Sequence, residues 1–197
     1  MEKLKVVFDC DDILWPLNKK MAKIAGINFD DLYTYSIKDN KNFSQEEKEK
    51  IIGIYGSTQL FTDINWYKGI EKINDINAEI IISTNCYTKD IANLKRKQLK
   101  EILNITDDKI HTHIINDEKE KDIDKDVYIF VDDSPYNIKE SYAPFNILMK
   151  KPWNITKESN DLMIKQNVYK YDTLEEIIKA VNFLINKQNI KNIQSYI

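Results

Sequence analysis

Five short apolar runs are spaced along the 197-residue chain, each closing in polar residues: KVVFD (5–9), EIIIST (79–84), HTHIIN (111–116), VYIFVDD (127–133) and FNILM (145–149). Runs of this length, rich in Val, Ile and Phe, fit strands buried on both faces, as in a parallel sheet. Such strands need helices to cover them, and two helical patterns stand out. TKDIANLKRKQLKEILN (88–104) gathers Ile91, Leu94, Leu99 and Ile102 near one face, with Lys and Arg on the other. TLEEIIKAVNFLINKQ (173–188) opens on a capping box, Thr173 to Glu176. Strand and helix in alternation predict an α/β fold, a three-layer Rossmann-like core whose ligands sit at the carboxyl ends of a parallel sheet.

Between the first and second runs the chain is far longer than one crossover helix requires. Residues 16–67 are therefore expected to form a small helical cap inserted after the first strand, with 1–15 and 68–197 as the core. Inside the insertion, SQEEKEKIIGIYG opens on the capping box Ser44 to Glu47, and KKMAKIAG (19–26) is a shorter helical pattern. The tail after Gln188 is expected to be a frayed end or a packing strand.

A formal net charge of −3 gives no basic field of the kind that holds duplex nucleic acid. No run approaches the ~20 apolar residues of a membrane span, and MEKLKVVFDCDD has neither the apolar length nor the cleavage site of a signal peptide, so the expected location is the cytoplasm. Cys10 and Cys86 are too few for a disulfide framework and lack the spacing of a zinc site, and His111 and His113 read as strand residues.

The chemistry-bearing residues fall at the strand ends. In KLKVVFDCDDILWP the run Val6, Val7, Phe8 leads straight into Asp9, Asp11 and Asp12. Two carboxylates about 4 Å apart repel by roughly 4 kcal/mol at an effective dielectric near 20, so crowding them at a buried strand end calls for a cation. Ser83-Thr84-Asn85 ends the second run, the lysine-bearing EKEKDIDK precedes the fourth, and Asp132-Asp133 closes it. Mg²⁺ is a hard ion that takes oxygen ligands while keeping positions for water and phosphate, which suits carboxylates from two strand ends. Asp9 is placed to attack phosphorus, Asp11 to act as acid and then base, and Thr84 and Asn85, with backbone N–H groups beside a helix N-terminus, to hold phosphoryl oxygens beside Lys121.

This ordered set resembles the haloacid dehalogenase superfamily, with VVFDCDDIL, IIIST, a lysine from EKEK and IFVDD standing for its four motifs. Within it the chain is most similar to the 5′(3′)-deoxyribonucleotidases and the nucleotidases grouped with them, through LFTDINWYKGIEKINDINAEIIIST, FVDDSPYNI, FNILMKKPWN and YDTLEEI. The resemblance implies a Mg²⁺-dependent phosphatase acting on a small phosphorylated metabolite, a (deoxy)nucleoside monophosphate being favoured. It implies Asp9 as nucleophile and metal ligand, Asp11 as acid/base offering its backbone carbonyl to the metal, Thr84 on phosphate, and Asp132 and Asp133 as the metal-binding pair. Lys121 is preferred to Lys119 as the phosphate lysine. Ile13 replaces the commoner Thr or Val of that family, and Asp12 stands where its nucleotidases often have Gly.

Other readings have discriminating features. A phosphatase for a sugar phosphate or a nucleic-acid terminal phosphate would use the same kit, and a substrate panel separates them. A phospho-aspartate switch would put its paired acids first, against the order seen here, and a silent binding module would lack a chemical group, which this set does not. Trp15, Tyr33, Tyr35, Phe43 and Trp66 are able to stack a base, although such residues more often fill a small core. Cys10, between two functional acids of an extended segment, should point away from the metal. Oligomeric state, including a homo-oligomer, stays open.

Overall fold

Residues 3–115, 126–164 and 166–194 are described by a computed structural model. Six strands, β1 (Lys5–Asp9), β2 (Glu79–Cys86), β3 (Ile110–Ile114), β4 (Val127–Asp132), β5 (Phe145–Met149) and β6 (Val168–Tyr171), form one sheet in the order β3-β2-β1-β4-β5-β6. Every pairing is parallel. The chain runs outward from β1 through β2 to β3, then returns to lay β4 on the other side of β1. That reversal makes the β1/β4 boundary the topological switch point, the place where open α/β sheets bind ligands.

The period of two along each strand divides the apolar residues between two layers. Val6 and Phe8 of β1, with Ile129, Val131 and Ile147, face the larger buried cluster. Val7, Phe130 and Leu148 face the smaller one. The larger cluster is covered by helices α1 (Leu17–Ala25), α2 (Gln45–Tyr55), α3 (Lys89–Leu103) and α6 (Leu174–Gln194), and the smaller is closed by Ile138 of α4 (Pro135–Glu140) and by Met163 just past α5 (Lys157–Leu162).

The segment between β1 and β2 is helical, carrying α1, α2 and short 3-10 turns. The α2 capping box forms as its sequence expects: Ser44 Oγ accepts from the Glu47 N–H at 3.2 Å, and Glu47 Oε2 accepts from the Ser44 N–H at 2.8 Å. Met21, Leu32, Ile51 and Leu60 of this segment belong to the same buried cluster as Val6 and Phe8. Among the described residues no helix is long and apolar enough to cross a membrane.

The structure corrects several expected boundaries. β2 continues through Cys86 because Thr84, Asn85 and Cys86 pair with Thr112, His113 and Ile114 of β3. The helix that was expected to stop at 188 runs on to Gln194, so the tail through that residue is neither frayed nor a strand. The edge strand β6 and the helices α4 and α5 escape the sequence reading: each is four to six residues long, too short to display a period.

Candidate metal and catalytic site

Asp9 is the last residue of β1 and Asp132 the last of β4, and the adjacent pairing of these strands brings the two carboxylates together. Asp133 follows at once. Asp9, Asp132 and Asp133 each offer a carboxylate oxygen, these atoms all lie within 4.8 Å of one another, and all three residues are buried. In an octahedral shell with ligands at about 2.1 Å, oxygens stand about 3.0 to 4.2 Å apart, so this triad fits Mg²⁺ in donor chemistry and lies close to the spacing that the ion requires. Electrostatics agrees: burial, together with the charges of Asp132, Asp12 and Asp9, pushes the Asp133 carboxyl well above the usual range. The ionised triad needs a cation to be stable.

Neighbouring side chains fix the acids. Asp132 Oδ1 accepts from the Ser134 N–H at 2.8 Å, and Oδ2 from Asn137 Nδ2 at 2.9 Å. Asp133 Oδ2 accepts from the Trp153 indole N–H at 2.9 Å, while Asn154 Nδ2 donates to the Asp133 and Met149 carbonyls and fastens the loop after β5. Asp12 adopts φ +58, a left-handed conformation that Asp tolerates and that explains why Gly is at home there. Its carboxylate accepts from the Asn18 N–H in the first turn of α1. Burial pushes the Asp12 carboxyl up to about 7, with Lys151 opposing. Lys151, which also donates to the Tyr67 hydroxyl at 3.0 Å, is itself pulled down by burial, against the charges of Asp12 and Asp133.

Asp11 stands apart from the triad. Its Oδ1 accepts from the Trp15 indole N–H at 3.0 Å, and its Oδ2 meets Lys95 Nζ at 2.5 Å and Thr84 Oγ1 at 3.4 Å. Thr84 is fully buried beside it, on β2. Asn85 is exposed, and both residues lie within the strand rather than beside a helix N-terminus, because α3 starts only at Lys89. The sequence expectation for their backbone N–H groups is corrected accordingly. Lys121 and Lys119 lie outside the described residues.

Lys95 escaped the sequence reading. It is 1 % exposed, on the face of α3 that was expected to be purely apolar. The signal was present: Ile91, Lys95, Leu99 and Leu103 recur at helical spacing, so a lysine occupied a core register. Trp153, Asn137 and Lys151 were not assigned roles either, though Trp153 lies in the segment FNILMKKPWN. Trp15 is fully buried, as a core residue, with its indole N–H on Asp11. Cys10 is buried and its thiol is pushed well up, by burial first and then by Asp11.

The insertion and the core together supply an aromatic wall. Tyr33, Tyr35, Tyr136 and Trp153 line a cavity of about 360 Å³. The Tyr35 and Tyr136 rings lie 5.9 Å apart. Tyr35 as a whole is 43 % exposed, but its hydroxyl end is sunk among the acids: burial, then Asp133, Asp132 and Asp9, push the phenol well up, and the hydroxyl shares a hydrogen bond with Ser134.

No protein-family model matches the chain, and no curated protein does so. Solved structures do. A protein provisionally named as a beta-phosphoglucomutase, from Bacteroides vulgatus, superposes with a TM-score of 0.53 over 95% of this chain and 90% of its own, at 9% identity. The chain shares the fold of that protein, an α/β core built on an all-parallel sheet. Weaker likenesses are a HAD-superfamily hydrolase of subfamily IA from Geobacter sulfurreducens (TM-score 0.48, 14% identity, 91% of this chain and 96% of that one) and an L-2-haloacid dehalogenase from Xanthobacter autotrophicus (0.47, 11%, 92% and 98%). At these identities the likeness concerns the fold alone.

Proposed function

We propose that the chain is a Mg²⁺-dependent phosphomonoesterase that works through an aspartyl-phosphate on Asp9, with a nucleoside monophosphate as its favoured substrate. The observation that carries this reading is the buried convergence of Asp9, Asp132 and Asp133 at the β1/β4 switch point. A Mg²⁺ held by that triad would neutralise the acids and the phosphoryl oxygens and so lower the barrier to anionic attack. The chain's own groups do the rest. An Asp9 oxygen bonds to phosphorus as the bond to the ester oxygen breaks, and the proton carried by Asp11 goes to the leaving oxygen. Water then attacks phosphorus, gives a proton to Asp11, and the bond to Asp9 breaks, restoring the carboxylate. Thr84, in the C-terminal half of β2, orients the phosphoryl group.

The nucleotide preference is supported by the resemblance of the sequence segments and by the aromatic cavity beside the triad, where Tyr33, Tyr35 and Tyr136 offer faces to a base. The test is phosphate release from a panel of nucleoside mono- and sugar phosphates, with and without Mg²⁺, for the parent and Asp9→Asn. We expect the variant to lose activity by about 10³-fold or more. A variant as active as the parent ends the mechanism, and a panel in which sugar phosphates outrun every nucleotide ends the substrate assignment alone.

A further inference from the structure

Buried lysines are expensive, and Lys95 is the largest ionisable side chain in the core. Its ammonium sits at the centre of a closed set of contacts. It donates to Asp11 Oδ2 at 2.5 Å, to Thr84 Oγ1 at 2.8 Å and to the Asn85 carbonyl at 3.0 Å, and lies 4.8 Å from the centre of the Phe61 ring. Phe61 meets Trp15 edge-on with centroids 5.8 Å apart, and Trp15 donates to the other Asp11 oxygen. One lysine on α3 thus ties the acid after β1 to the hydroxyl on β2, and the ring of the insertion covers the tie. Burial, the largest single influence, pulls the ammonium down, but Asp11 together with Cys10 and Cys86 outweighs it, and the net direction is upward.

We infer that Lys95 is a positioning residue that fixes the Asp11 carboxylate and the Thr84 hydroxyl relative to one another for turnover. This rests on the phosphatase reading above. An ammonium has three N–H donors, and here protein oxygens take all three, so Lys95 acts through Asp11 and Thr84 and not on the substrate. Asp11 in turn has a carboxylate oxygen held on each side, by Trp15 and by Lys95, which pins its plane. A carboxylate accepts about four hydrogen bonds, and the three donors here leave capacity for a proton from water. A residue pinned in this way matters most in the step where its placement decides the rate, the hydrolysis of the aspartyl-phosphate.

That prediction separates a positioning role from a merely structural one. With para-nitrophenyl phosphate and Mg²⁺ the first step expels nitrophenolate, a stable anion that needs no proton from Asp11, whereas the second step still needs Asp11 to take one from water. Lys95→Met should therefore show a burst of about one nitrophenolate per chain, then a kcat about 10²-fold lower with KM within about threefold of the parent. Because Lys95 acts through Asp11, the double variant Asp11→Asn/Lys95→Met should be no more than about threefold slower than Asp11→Asn. A burst-free loss, a kcat within threefold of the parent, or independent losses that multiply would overturn the role. Since Lys95→Met leaves a carboxylate unpaired and risks unfolding, the tie is also read without turnover, by NMR of ¹⁵N-lysine-labelled parent, Asp11→Asn and Thr84→Val chains. A protected ammonium signal that moves in both variants supports the contact, and one that exchanges like surface lysines refutes it. A parent chain that cleaves none of the phosphate esters sinks the phosphatase reading, and the NMR result still decides the tie.

Discussion

The Trp153 indole N–H donates to Asp133 Oδ2 at 2.9 Å, joining the loop after β5 to the acid at the end of β4. Trp153 is 2 % exposed, so no water replaces that donor if it is removed. Trp153→Phe keeps most of the apolar volume and leaves a buried carboxyl oxygen short of a partner, which costs about 1–3 kcal/mol. The expected outcome is a lower urea midpoint with an unchanged m-value. Equal stability of variant and parent would show that the bond contributes nothing.

The acid triad sets stability and metal binding against each other. Without a cation, Asp133 is disfavoured as an anion by burial and by Asp132, Asp12 and Asp9. Asp133→Asn relieves that repulsion while the amide oxygen still accepts from Trp153. The metal-free variant should melt at or above the metal-free parent. Mg²⁺ should stabilise the parent in proportion to the logarithm of its concentration above Kd, by about 2.7 kcal/mol at 100 Kd, raising its melting temperature, and should barely move the variant. EDTA should reverse the parent's gain. A parent indifferent to Mg²⁺ in the millimolar range would remove the metal from the triad.

These residues also show what was legible in the sequence. Asp9, Asp132 and Asp133 were readable because apolar runs ending in acids give both the strand and its end, and a parallel sheet places such ends together. Thr84 was readable in the same way, but the neighbourhood of Asn85 was not, since β2 is prolonged by pairing with β3, which no local pattern announces. Lys95 was hidden by a sound habit: lysines on an amphipathic helix are assigned to the wet face, and only its i+4 relation to Ile91 and its i−4 relation to Leu99 argued otherwise. The hydrogen bonds of Trp15 and Trp153 depend on tertiary placement, so from sequence alone Trp15 was a base-stacking or core candidate and Trp153 had no role.

The α2 capping box offers a check on a feature that sequence and structure share. Ser44 satisfies the Glu47 N–H and Glu47 answers at the Ser44 N–H, both in exposed positions. Ser44→Ala should cost about 1 kcal/mol. For a chain of this size that corresponds to about 2–4 °C in melting temperature. Because Ser44 caps the end of α2 opposite Tyr55, the residue of that helix whose phenol feels Asp12, Asp11 and Asp133, the Mg²⁺ response should be unaffected. A loss of Mg²⁺ response in Ser44→Ala would mean that the helix and the triad are coupled.

Cys86 gives a pH-dependent outcome away from the acid triad. Its residue is 1 % exposed and burial pushes the thiol up to about 11. The thiolate is the reactive species, so at pH 8 only about one molecule in a thousand presents it, against roughly a quarter for an ordinary thiol near 8.5. Because the folded value lies above the unfolded one, the folded state loses stability as pH rises from about 8.5 toward 11, where the unfolded chain releases its proton and the folded chain still holds it. Cys10→Ser isolates Cys86. Native Cys10→Ser should react with a disulfide reagent at pH 8 only at its global unfolding rate, and in urea the reaction should follow the unfolding curve. Stoichiometric labelling within seconds under native conditions would mean that the β2 end opens readily to solvent, and with it the floor on which Thr84 and Lys95 meet.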